Sequence, residues 1–195
     1  MPDRNSDGYL LERAGGGDQA AFRELYERHR QPIFRFAYRL LGSVELAEDV
    51  THDCFLGLIK KPENFDSSRS SLRTYMFAAA RNLAMKHFRN VGREDALDDL
   101  SDAPLVSEHE APLRRMLDEE LSTIVQEAVH NLPPLQREAL ILFEYEGLSL
   151  SEIAGVVGSD VGAIKARLHR ARERLRNSLK PYLNSTREIV TLKEA

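Results

Sequence analysis

The chain has 195 residues, of which 42% are hydrophobic and 30% charged, with a formal net charge of −4. This composition predicts a cytoplasmic protein of one or two small domains, because no apolar run approaches the ~20 residues of a membrane span and no signal-peptide pattern opens the chain, so we expect no membrane insertion. A single cysteine, Cys54, excludes an internal disulfide, and the six scattered histidines give no metal-ligand spacing, so we expect no metal and no cofactor.

The first third of the chain predicts three helices after a flexible start. Residues 1–16 are polar and rich in glycine, which is typical of a frayed terminus. Asp18 can cap the first helix, and Pro32 marks either a break or a fresh first turn before Gly42 ends the pattern. A third helix keeps its aliphatic residues on one side and shows acidic and polar residues on the other, namely Glu48, Asp49, His52 and Asp53.

A polar loop and a long helix follow. Pro62 ends the third helix, and the serine-rich segment from Glu63 to Ser71 predicts an exposed loop. The next helix runs from Leu72 to about Asn90. Aromatic, cationic and amide side chains lie outside its main apolar stripe, including Arg73, Tyr75, Phe77, Arg81 and Asn82. Such a mixture suits single-stranded nucleic acid, where bases stack on rings, although aromatic residues at helical spacing more often belong to a core.

The segment 92–112 predicts an acidic flexible linker, since it loses helical periodicity and contains two prolines. Two interpretations stay open for it. It is either a solvated tether or an acidic strand that competes with nucleic acid for a positively charged channel of a partner.

The last third predicts four more helices. A periodic apolar pattern extends from Leu113 to Leu132, and Pro134 suits the first turn of a helix that ends at Gly147. Ser149 and Glu152 have capping-box spacing at the start of a short helix. A new helix begins after Ser159 and Asp160, with one stripe of apolar residues: Val161, Ile164, Leu168, Ala171, Leu175 and Leu179.

On the side of this last helix opposite its apolar stripe, the first residues have small side chains and the later ones are basic. Gly162, Ala166, His169 and Arg170 occupy it, with basic flanks formed by Lys165, Arg167, Arg172, Arg174 and Arg176. A short helix, a tight turn and such a helix predict a helix-turn-helix that enters a DNA major groove. A solvated basic helix on a bundle is the alternative interpretation. The tail, 181–195, has no assignment.

Four segments in this order resemble the bacterial sigma factors of the extracytoplasmic-function type. They are GDQAAFRELYERHR, AEDVTHDCFLGLIKK, SLRTYMFAAARNLAMKHFR and LPPLQREALILFEYEGLSLSEIAGVVGSDVGAIKARLHRARERL. The resemblance implies an all-α fold with two small domains, residues 17–91 and 113–180, joined by the acidic linker. The second domain would contain the helix-turn-helix.

The resemblance also implies roles for the faces already described. The first domain would bind the RNA polymerase core through Glu48, Asp49, His52 and Asp53. It would melt the promoter's minus-ten element with Asn64, Asp66, Ser67, Arg69, Arg73, Tyr75, Arg81 and Asn82, including capture of a flipped base. The second would recognise the minus-thirty-five element with Lys165, Ala166, His169 and Arg170, while Arg167, Arg172 and Arg174 would hold phosphates. An anti-sigma factor and a stress or envelope response are implied as well.

Three departures from the family pattern bear on specificity. His52 stands where glutamine is common, Lys86 where aspartate is common, and Ala163-Ile164-Lys165-Ala166 where Thr-Val-Lys-Ser is common. The methyl group of Ala166 favours contact with a thymine methyl over a hydrogen bond.

Two other classes of function fit parts of the sequence. A helix-turn-helix regulator would bind duplex DNA without polymerase, and a helical interaction protein would sequester a partner without salt-dependent DNA affinity. An enzyme is not expected, because no nucleophile–base pair, metal cluster or phosphate-binding glycine loop is found in the sequence.

Overall fold

The computed structural model describes residues 6–90 and 115–191, and the predicted linker therefore lies outside the described residues. Within these two ranges the chain forms eight α-helices and no strand, which confirms the all-α prediction. The helices are α1 (Asp7–Gly15), α2 (Gln19–Leu41), α3 (Val44–Lys60), α4 (Leu72–Asn90), α5 (Arg115–His130), α6 (Pro134–Leu140), α7 (Leu150–Val157) and α8 (Val161–Thr191). A 3₁₀ turn (Pro62–Asn64) follows α3, and a π-helical turn (Ile141–Tyr145) continues α6.

The prediction of a flexible start is wrong for residues 7–15, which form α1. The Ser6 side chain accepts a hydrogen bond from the Tyr9 amide and caps the helix. Leu10, Leu11 and Ala14 are buried, because Ala14 follows the two leucines by four and three residues and the three side chains form one apolar stripe that packs on α2. Asp7 ties the same helix to α2 through an ion pair with Arg28 at 2.7 Å and a hydrogen bond with His29 Nε2 at 3.0 Å.

The α2 helix continues through Pro32 without a break. Proline in a helix interior costs about 3 kcal/mol, since it removes one hydrogen bond and crowds the preceding turn. Buried side chains stand on both sides of it: Leu25, Ile33, Phe36, Ala37 and Leu40. Each large buried side chain contributes about 1.5–3 kcal/mol, so packing of the whole stripe outweighs the local cost.

Aromatic and aliphatic residues of α2, α3 and α4 form the core of the N-terminal domain. Phe77, which the sequence pattern places outside the main stripe of α4, is fully buried and packs edge-on against Phe36 at 5.4 Å between ring centroids. It is therefore a core residue and not a platform for bases. Cys54 also faces this core, where burial raises the pKa of its thiol to about 12.

The C-terminal domain packs α8 against α6 and α7. Ile164, Leu168 and Ala171 are buried as predicted, whereas Val161 is 37% exposed, because it occupies the first turn of α8, where the chain enters from the α7–α8 turn. The helix continues past Leu179 to Thr191, so much of the unassigned tail is helical.

The two domains are in contact. The α4 helix lies against α7, and α2 lies against α5, α6 and the π-helical turn. The buried Arg137 on α6 donates a hydrogen bond to the backbone carbonyl of Leu40 on α2 at 2.7 Å. Gly42, which ends α2 with φ +73°, lies beneath the ring of His130 on α5.

We expect the substitution Gly42→Ala to lower the melting temperature about twice as much as Gly158→Ala. Both glycines cap a helix at positive φ, where an alanine costs about 1 kcal/mol, which corresponds to roughly 2–4 °C in a chain of this size. Only at Gly42 would the new Cβ lie 2.3 Å from His130 Cε1; at Gly158 it would meet nothing within 4 Å. Equal decreases in the melting temperatures of the two variants would mean that the His130 side chain moves away from the new methyl group at no cost in free energy.

Two features are absent from the described residues. None of their helices is long and apolar enough to cross a membrane. Likewise, residues 6–90 and 115–191 contain no group of three or more His, Cys, Asp or Glu side chains placed to hold a metal ion.

Candidate nucleic-acid interface

The end of α7 and the start of α8 form a helix-turn-helix with defined caps. Ser149 and Glu152 make the predicted capping box at the start of α7. Gly158 ends α7 in the left-handed conformation, and the Asp160 side chain accepts a hydrogen bond from the Ala163 amide at 2.8 Å. These caps fix the angle at which α8 leaves the turn, and the buried Ile164 and Leu168 hold it on the domain.

The first three turns of α8 present four of the predicted residues together. Lys165, Ala166, His169 and Arg170 are all exposed, and their spacing places them on one face of the helix. Gly162 has no side chain and Ala166 only a methyl group, so the beginning of this face carries little bulk. A face of this shape can approach base edges in a major groove.

The other predicted basic residues of α8 have different surroundings. Arg167 turns toward α6 and pairs with Glu138 at 3.3 Å, so it is not on the outer face. Arg172 pairs with Glu144 at 2.7 Å and lies 5.4 Å above the Phe143 ring. Arg174 is exposed.

Four predicted residues lie together in the loop between α3 and α4. Asn64, Asp66, Ser67 and Arg69 are all exposed there. The Asp66 carboxylate accepts hydrogen bonds from Ser68 Oγ at 2.7 Å and from the Ser68 amide at 2.9 Å, and these bonds lower the pKa of Asp66. The segment 64–69 therefore presents an ordered turn with the Asp66 carboxylate and the Arg69 guanidinium.

At the base of this loop, Tyr75 is half-buried. Its ring packs edge-on against Phe65 at 5.6 Å, and burial raises the pKa of its hydroxyl. Asn82, two turns further along α4, is exposed. The loop residues and Asn82 are therefore open to solvent, and Tyr75 is partly so, while the two domains are in contact.

Arg73 and Arg81, in contrast, point into the contact between the domains. Arg73 Nη2 donates to the backbone carbonyl of Glu146 at 2.6 Å, and its side chain covers the Phe77 ring at 5.0 Å. Arg81 donates through Nε at 2.8 Å and Nη2 at 3.3 Å to the two carboxylate oxygens of Glu138. The structure therefore separates these two arginines from the loop residues with which the resemblance groups them.

Both acceptors of this contact are buried acids. Burial raises the pKa of Glu138, and the Arg81 guanidinium opposes that rise, followed by Arg167. Burial likewise raises the pKa of Glu146, against the opposing charges of Arg73 and Arg39. In each case the surrounding arginine side chains favour the ionised carboxylate and offset part of the effect of burial on its pKa.

Glu48, Asp49, His52 and Asp53 form one exposed face of α3, as predicted. Leu56, which the sequence interpretation did not include, extends this face by one turn and is 39% exposed. The sequence could have predicted this, because Leu56 follows His52 by four residues and Asp53 by three, and residues at that spacing lie on one face of a helix. The face therefore combines acidic groups with one apolar contact point.

Sequence reasoning also missed the acids that hold the two domains together. Glu138 lies three residues after Leu135 and four before Leu142, so it falls on the apolar stripe of its helix. A carboxylate at such a position predicts a buried partner of opposite charge. No comparable signal marks Glu146 or Arg39, which meet only through the tertiary contact of the π-helical turn with α2.

The chain is similar to known proteins along most of its length. Residues 25–94 match the family Sigma-70 region 2, and residues 122–175 match Sigma-70, region 4. The RNA polymerase sigma-H factor of Pseudomonas aeruginosa is 31% identical over 191 residues, which cover 94% of this chain and 98% of that protein. The ECF RNA polymerase sigma-E factor of Haemophilus influenzae is 30% identical, covering 94% of this chain and 100% of that protein.

Solved structures give the same result. The structure of CnrH in complex with the cytosolic domain of CnrY matches with a TM-score of 0.66 at 25% identity, covering 90% of this chain and 97% of that one. The sigma factor RpoE in complex with the anti-sigma factor NepR from Bartonella quintana matches with a TM-score of 0.59 at 27% identity, covering 82% of this chain and 96% of that one.

Proposed function

Because the chain belongs to the extracytoplasmic-function sigma factors, we propose that it binds the RNA polymerase core and directs initiation at specific promoters. The observation that carries the proposal is the pair of exposed faces on separate domains. One is the acidic face of α3, and the other is the small-then-basic face at the start of α8. The chain has no catalytic role of its own in this proposal, since the polymerase makes the RNA.

In the proposed function each of the two domains has its own role. Residues 17–91 dock on polymerase through Glu48, Asp49, His52 and Asp53 and hold the opened minus-ten strand with the loop from Asn64 to Arg69 and with α4. Residues 113–180 recognise the minus-thirty-five element through Lys165, Ala166, His169 and Arg170. Exposed side chains with donors and cations support both assignments, because bases are read by hydrogen bonds and phosphates by positive charge.

An anti-sigma factor that holds the chain until a signal arrives is part of the proposal. Its support is the similarity to the sigma factor RpoE, which was solved with the anti-sigma factor NepR. We further propose that the protein acts in the cytoplasm, where polymerase and DNA are, in a stress or envelope response.

Co-elution with purified polymerase core tests the proposed function. We expect the full chain to elute with core in gel filtration, and the complex to retard a promoter fragment that neither component retards alone at physiological salt. Tight duplex binding by the chain alone, with no co-elution, would instead indicate a regulator that acts without polymerase. Absence of both would indicate a helical interaction protein.

A further inference from the structure

A carboxylate lies at the start of the outer face of α8, the face that carries Lys165, Ala166, His169 and Arg170. It belongs to Asp160, the residue that precedes the helix. A Cβ atom added to Gly162 would lie only 2.9 Å from Asp160 Oδ1, and Gly162 is on the side of α8 opposite its apolar stripe. The carboxylate therefore occupies the place that a side chain at Gly162 would take.

The Asp160 carboxylate is held in this place by the helix itself. Its Oδ1 atom accepts a hydrogen bond from the Ala163 amide at 2.8 Å, which caps α8. Asp160 is exposed, and none of the described residues donates a hydrogen bond to its second oxygen, Oδ2. One carboxylate oxygen is thus fixed by the cap, while the other is an acceptor that is open to solvent.

The charge of Asp160 differs from that of the two other acids in α7 and α8, Glu152 and Glu173. The Glu152 carboxylate belongs to the capping box with Ser149, and Glu173 forms an ion pair with Arg176. No cation in the described part of the chain pairs with Asp160. Its negative charge is therefore available to a molecule that approaches the outer face.

In a DNA major groove, most groups that such a carboxylate would meet repel it. Phosphate oxygens are negative, and guanine O6 and N7, adenine N7 and thymine O4 are all acceptors. The N4 amino group of cytosine is a donor, and it is the base group that aspartate and glutamate recognise. A carboxylate at this place discriminates by repulsion from the other groups as well as by attraction to one.

We propose that Asp160 is a specificity-determining residue for the minus-thirty-five element, where its Oδ2 accepts a hydrogen bond from the N4 amino group of one cytosine. The inference rests on the proposed function, which places the start of α8 in the major groove. Asp160 and Arg170 are ten residues apart, or about 15 Å along the helix axis. Neighbouring base pairs are only roughly 3.4 Å apart, so these two side chains contact different base pairs.

The test is the full-length variant Asp160→Asn, assayed with polymerase core. Asparagine caps helices as well as aspartate does, so α8 keeps its start, but the charge is lost and the side chain gains an amide donor. On a promoter that requires this chain, each minus-thirty-five base pair is replaced in turn by the three others. The wild type is expected to prefer cytosine at least about fivefold at one position, and the variant to lose that preference.

Asp18→Asn is the matched control for charge and cap. Asp18 begins α2 in the N-terminal domain, where its Oδ1 accepts hydrogen bonds from the Ala20 and Ala21 amides at 2.9 and 3.1 Å. The same substitution there removes the same charge from the same kind of cap. Its base preferences should equal those of the wild type at every minus-thirty-five position.

Gly162→Ala tests the placement of the carboxylate without removing its charge. The new methyl group would lie 2.9 Å from Asp160 Oδ1, so the carboxylate must move. We expect this variant to reduce the preference for cytosine at the same position. Gly155→Ala on α7 is its control, because a Cβ atom there meets nothing within 4 Å.

Three results would contradict the inference. They are a wild type without any preference for cytosine in the minus-thirty-five element, an Asp160→Asn variant with wild-type base preferences, and a variant that changes initiation equally on all promoters. In each case the chain still directs initiation, so the proposed function stands. Failure of the wild-type chain to support any initiation by core would instead contradict the proposed function, and the role of Asp160 with it.

Discussion

Replacing Arg170 with alanine is expected to remove discrimination at one minus-thirty-five base pair. Arg170 is exposed on the face of α8 that carries Lys165, Ala166 and His169, and a guanidinium there can donate two parallel hydrogen bonds to guanine. Loss of such a pair costs about 1–3 kcal/mol, or roughly 5- to 150-fold in preference for the correct base. The measurement is initiation by the reconstituted polymerase on promoters that differ at each minus-thirty-five position.

Arg174→Ala is the control for Arg170→Ala. It removes the same charge one helical turn later, where we assign the side chain to phosphates. This variant should weaken initiation by a similar factor on every promoter and reduce the salt dependence of binding by about one counterion. Arg170→Lys should keep the charge but not the paired hydrogen bonds. Uniform losses for both alanine variants would contradict the assignment of base recognition to Arg170.

Reversal of two charges on α3, in the double variant Asp49→Lys and Asp53→Lys, is expected to abolish co-elution with polymerase core. Both residues are exposed on the proposed docking face beside Leu56. Like charges brought together across an interface cost several kcal/mol, which corresponds to at least about a 100-fold loss of affinity. The free variant should remain folded, because neither side chain contributes to the core.

The double variant Glu12→Lys and Glu27→Lys is the control for charge. Both residues are exposed, on α1 and α2, and their reversal changes the net charge by the same amount. Its co-elution should match that of the wild type. Equal loss in the two double variants would show that net charge, and not the α3 face, determines binding to core.

Helical periodicity and caps were sufficient to predict most of the fold. Gly42, Ser149 and Gly158 sit at the helix ends where the sequence placed them, because capping chemistry depends on neighbours within a few residues. The errors at α1 and Pro32 have one cause. In both places burial of a stripe of apolar side chains outweighs a local preference against helix.

The arrangement of the candidate site was harder to predict from the sequence than the fold. The outer face of α8 follows from helical phase alone, so its four residues could be grouped in advance. The inward turn of Arg73, Arg81 and Arg167 depends on contacts between residues 29 to 73 positions apart. Periodicity within one helix contains no information on such partners. An acid on an apolar stripe, as at Glu138, is the one local sign that a distant cation is required.

The most direct test of the account is transcription by purified polymerase core on genomic fragments, with and without the full chain, followed by mapping of RNA 5′ ends. We expect starts that depend on the chain and lie downstream of two sequence blocks at a constant separation, because each of the two domains recognises one block. The same starts with core alone, or no starts in spite of stable co-elution, would contradict it.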